Sequence, residues 1–123
     1  MQNGERIDVE LSGMPKYMAI AKYTSAAVDG VRKAGYQSRQ QALESMAESL
    51  GGKLEAIYFL SSGSWDLLTI MDLPDSAAAF ALISFAKSTG GTAQGDVIEL
   101  LTPAQADAAI AKQVKWTAPG ERA

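Results

Sequence analysis

The chain has 123 residues, 47% of them hydrophobic and 20% charged, with a formal net charge of −3; this describes one globular domain able to bury a core. The acidic balance argues against a nucleic-acid partner, no apolar run approaches the roughly 18 residues of a membrane span, and the first residues lack a signal-peptide core, so a cytoplasmic protein is expected. With neither cysteine nor histidine, thiol chemistry, disulfides, imidazole catalysis and Cys- or His-ligated zinc, copper or haem are ruled out.

Residues 1–13 are polar, have no clear period and read as a flexible leader or one short edge strand. Lys16–Tyr23 (KYMAIAKY) alternates as a strand does. Thr24 or Ser25 caps a short helix that runs to about Ala34 and stops at Gly35. Gly30 inside it costs about 1 kcal/mol relative to alanine. Ser38-x-x-Gln41 is a capping box, and Leu43, Met46, Ala47 and Leu50 follow at helical spacing until Gly51-Gly52. Lys53–Leu60 and Trp65–Leu73 read as strands joined by the turn Ser61-Ser62-Gly63-Ser64. Asp75, after Pro74, caps a helix over Ser76–Ser88. That helix is apolar almost all round, so more than one of its sides needs cover. Thr92–Leu101 is the fourth strand, weakened by Gly95. Thr102-Pro103-Ala104-Gln105 is a second capping box and opens a last helix reaching about Lys112. Gln113–Ala123 is a tail that Trp116 could anchor.

The order β-α-β-β-α-β-α predicts an α+β, ferredoxin-like sandwich over residues 14–112: an antiparallel sheet, helices on one face and an extra C-terminal helix. Strict alternation divides the strands into two sets. One runs through Met18, Ile20, Ile57, Phe59, Leu68 and Ile70, the other through Tyr17, Tyr23, Leu54, Tyr58, Thr69 and Glu99. Both are mostly apolar, and a sheet face washed by solvent should not be. A second copy is therefore expected to cover the open face, the two sheets pairing into a dimeric α+β barrel. The second set is the more mixed and is assigned to that interface, with a pocket in its middle.

The residues on which a pocket would rest are Tyr17, Tyr23, Tyr58, Trp65, Thr69 and Glu99. They would line a site for a small apolar or aromatic molecule, and a buried Glu99 could serve as a base. Equally, they are interface packing with hydroxyls bonded across subunits. Asp66 either orients a ligand or caps the turn backbone. Arg32, Lys33 and Arg39 either grip an anion near a helix start or form a solvated basic surface. There is no DxDxDG, GxGxxG or GxxxxGK[ST] pattern, so no metal and no cofactor is expected.

Seven segments together resemble the GYD domain family: Met14-Pro15-Lys16-Tyr17, Tyr23-Thr24, Leu50-Gly51-Gly52-Lys53-Leu54-Glu55, Tyr58-Phe59, Gly63-Ser64-Trp65-Asp66, Asp72-Leu73-Pro74-Asp75 and Leu100-Leu101-Thr102-Pro103. The likeness spans roughly Met14 to Lys112. Trp65 stands where the family's signature tyrosine is expected. The resemblance implies a bacterial or archaeal protein with a dimeric α+β barrel, but no catalytic residues, since the family has no assigned function. Proteins of that architecture include cofactor-free monooxygenases, muconolactone isomerase-like enzymes and ligand-sensing domains. Three functions fit this body: a homo-oligomeric binding or sensing module, a cofactor-independent isomerase or monooxygenase with Glu99 as base, and a purely structural assembly subunit.

Overall fold

Four strands form one antiparallel sheet in a computed structural model of the chain, which describes residues 13–121. The expected leader, apart from Gly13, lies outside the described residues. The strands are β1 (Lys16–Tyr23), β2 (Lys53–Phe59), β3 (Leu67–Asp72) and β4 (Thr92–Leu100). They lie in the order β2-β3-β1-β4, the ferredoxin-like arrangement, with the first strand in the middle. The helices are α1 (Ser25–Ala34), α2 (Tyr36–Ser49), α3 (Ser76–Ser88) and α4 (Pro103–Ile110).

Local chemistry sets most boundaries. The Thr24 hydroxyl accepts from Ala27 N, the Asp75 carboxylate accepts from Ala78 N, and Thr102 and Gln105 close a full capping box. The capping box expected at Ser38 is not the helix start: the N-cap is Gly35, three residues earlier. Gly35, at φ 98°, ends α1 and caps α2, so the chain turns between helices on one residue. The turn between β2 and β3 is longer than expected and leaves Trp65 outside the sheet. Asp66 fastens that turn to β1: its carboxylate accepts from Tyr23 N at 2.8 Å, and its own N–H donates to Ala21 O at 2.9 Å. The Asp66 carboxylate thus serves structure, but it binds the end of β1 and not the turn's own backbone as expected.

Helices α1, α2 and α3 cover one sheet face. Val31, Leu43, Ala47 and Ala79 from the helices are buried against Tyr17, Tyr23, Leu67 and Met71 from the strands. The face assignment made from alternation is therefore reversed. Residues paired across antiparallel strands share a face, and Tyr17 pairs with Met71, Ala19 with Thr69 and Ala21 with Leu67. This mixed set lies under the helices, not at a subunit interface. Strict alternation also fails in β2. A bulge between Leu54 and Ala56 turns Ile57 and Phe59 to the helix side and Ala56 and Tyr58 to the other.

The open face holds Met18, Ile20, Leu68, Ile70 and Ile98, with Tyr58 63% exposed. At one end, Lys16 meets Glu55 at 2.6 Å and Asp72 at 2.9 Å. Two further stretches are bare. On α3, only Ala79 is buried, while Phe80 and Phe85 are largely exposed. No residue of α4 is buried, and Trp116, expected as an anchor, is exposed.

Candidate functional site

A small chamber of about 60 Å³ lies between the sheet and the helix layer. Its floor is the middle of the sheet. Thr69 pairs with Ala19 on one side and Ile57 on the other, so its side chain rises toward the helices. Its hydroxyl is buried, with no hydrogen-bond partner among the described residues. Such an orphan costs about 1–3 kcal/mol. The walls are apolar: Leu43 and Met46 from α2, Leu82 and Ala86 from α3.

Tyr23 and Arg39 form one end. Tyr23 is the last residue of β1 and lies on the helix side. Arg39 stands four residues before Leu43 and so shares the inward stripe of α2. Arg39 Nε donates to the Tyr23 phenol oxygen at 3.2 Å, and the guanidinium carbon lies 5.7 Å from that ring's centroid.

Two larger clefts meet at this point. A groove of about 660 Å³ runs between α2 and α3, with Leu43, Met46, Leu82 and Phe85 along it. A second cleft of about 440 Å³ opens beside α1. Arg39 and Ala86 line the chamber and both clefts. The arrangement can admit an apolar body from the surface and meet its polar end with a guanidinium, a phenol and a free hydroxyl.

Of the six residues on which the pocket was expected to rest, two line this chamber: Tyr23 and Thr69. Tyr17 is buried further along the same face against Ala47 and Ala79. Burial, with Glu99 and Asp75 nearby, raises its pKa and keeps the phenol neutral. Tyr58 lies on the open face, and Trp65 sits in the turn, half-buried. Glu99 is exposed on the edge strand β4. The desolvated base expected there is not formed. The basic cluster also divides: Arg32 is exposed, Lys33 pairs with Asp29 at 3.0 Å, and Arg39 turns inward. Ala86 and Leu82 escaped notice because α3 is apolar all round, which hides its inward stripe. Among the described residues no cluster of three carboxylates could hold a metal ion, and no helix is long and apolar enough to cross a membrane.

Fold and chamber together define a ferredoxin-like α+β domain with a small, mostly apolar cavity between sheet and helices that the Thr69 hydroxyl lines. The family model of the GYD domain matches residues 17–110, and the chain belongs to the GYD domain family. No curated protein and no solved structure matches it.

Proposed function

We propose that this protein is a small-molecule-binding or sensing module whose ligand enters between α2 and α3 and ends in the chamber. The observation that carries this is the Thr69 hydroxyl, orphaned among the described residues at the floor of a space that shares Arg39, Leu43, Met46, Leu82 and Ala86 with an apolar groove. Interiors rarely leave such a group unpaired, and sites that do are often functional. Apolar walls with a few convergent polar groups are the usual make-up of a ligand pocket. The cavity thus falls within one subunit and needs no partner to complete it.

Self-association belongs to the same proposal. The open sheet face carries Met18, Ile20, Leu68, Ile70 and Ile98 across three strands, with Asp96 and Lys22 toward one end and Lys16 toward the other, and an apolar patch of that kind is normally covered. A second copy closing sheet to sheet would make the dimeric α+β barrel that the family resemblance implies.

The binding half is tested by titrating 2-naphthamide, a neutral aromatic with its own fluorescence, into the full chain and into Ala86→Leu. Ala86 lines every branch of the cavity, so the larger side chain should weaken binding about tenfold or more with the melting temperature little changed. Absence of binding to the unaltered chain by both this amide and the corresponding acid, or equal binding to the variant, would overturn it.

A further inference from the structure

We propose that the ligand is a small organic monoacid, with its carboxylate on Arg39 and its apolar body in the groove between α2 and α3. This rests on the chamber being a binding site.

Arg39 is half-buried in the cleft between α2 and α3, yet no carboxylate lies within salt-bridge distance of it among the described residues. Its hydrogen bond goes to a neutral phenol. The chain carries 14 acidic residues against 11 basic ones, so acidic partners are not scarce; none of the described ones is placed here. A cation held partly out of water without a counter-charge is unfavourable, and an incoming anion offsets that.

The donors suit a carboxylate. Nε is taken by Tyr23, which leaves the two Nη groups, a planar pair matched to two carboxylate oxygens. Tyr23 accepts from Arg39, so its own O–H hydrogen remains to be given. The Thr69 hydroxyl on the same chamber can donate as well. One guanidinium and two neutral hydroxyls balance a single negative charge; a phosphate ester would bring more charge than the site offsets. The chamber, at about 60 Å³, has room for a head group and not for a ring system. The groove of about 660 Å³, walled by Leu43, Met46, Leu82 and Phe85, has room for the rest.

The test compares 2-naphthoate with 2-naphthamide, which share a shape and differ in charge. Each is titrated into the full chain, Arg39→Gln and Arg39→Lys. The acid should bind the unaltered chain about tenfold or more tighter than the amide, as one charge-assisted pair allows. Arg39→Gln should lose that preference, and Arg39→Lys should keep only part of it. If the amide binds as tightly as the acid, or if Arg39→Gln keeps the preference, the monoacid is wrong while the chamber stands. If neither compound binds the unaltered chain, both fall together. The acid–amide comparison on the unaltered chain decides the matter even if a variant fails to fold.

Discussion

At the scale of single residues, the proposed binding role and stability pull Thr69 in opposite directions. Its hydroxyl is unpaired in the core, so Thr69→Val, which keeps the shape, should stabilise the protein by about 1 kcal/mol. The same change should weaken binding of the acid. Urea denaturation read beside the naphthoate titration checks both, and a Thr69→Val that loses stability would show the hydroxyl to be satisfied. Gly52 is fixed for a different reason. A Cβ there would fall 1.9 Å from the Asp72 carbonyl oxygen, a backbone atom that cannot step aside. Gly52→Ala should therefore cost about 2–4 kcal/mol in the same urea experiment. Alkali acts on two residues at once. Hydrogen bonds to Asp72 and then Glu55 raise the Lys16 pKa above its ordinary 10.5, and burial raises that of Tyr17 above 10.0. The folded state then holds protons that the unfolded chain has already released. This stabilisation is whole below those ordinary values and is lost as pH climbs through the raised ones. Stability should fall steadily above about pH 10, and Tyr17→Phe should make the fall shallower.

At the scale of elements, Gly35 matters most to the site. It ends α1 by donating to Val31 O at 2.7 Å and starts α2 by accepting from Arg39 N at 3.2 Å. Its φ of 98° is one that other residues reach only under strain. Gly35→Ala should cost about 1 kcal/mol and turn the first coil of α2. Since Arg39 lies in that coil, the acid–amide preference should shrink more than the melting temperature does. The elements themselves were legible in the sequence because caps and periodicity are local signals: Thr24, Asp75 and the Thr102–Gln105 box act where they were read. What was not legible depends on the sheet as a whole. With both faces apolar, hydrophobicity could not tell helix side from open side. The bulge at Leu54–Ala56, which sets Ile57 opposite Thr69, has no mark in the sequence. Tyr23 and Thr69 were found as residues able to line a pocket, but under the wrong side of the sheet. Arg39 was noted as basic; its distance of four from Leu43 was the signal that it turns inward.

At the scale of the molecule, the proposed function gives the bare sheet face and the covered one separate tasks, self-association and ligand binding. They should be separable by substitution. Ile98 is 47% exposed on the open face, so Ile98→Lys should cost the single subunit little while placing a charge in the proposed interface. Light scattering should then report monomers in place of dimers, with naphthoate binding unchanged. A monomeric unaltered chain would remove the self-association half alone. The sheet order also bears on how the chain is made. β1 leaves the ribosome before the other three strands of this sheet and lies in its interior, yet its neighbours are β3 and β4. Lys16 pairs with Asp72 on one side and Leu100 on the other. These are long closures, of the kind that slow folding. Until β3 emerges, β1 is an apolar strand with two open edges, a surface that invites aggregation or chaperone capture. The hairpin of β2 and β3 can form at once, but completion of the central strand waits for β4.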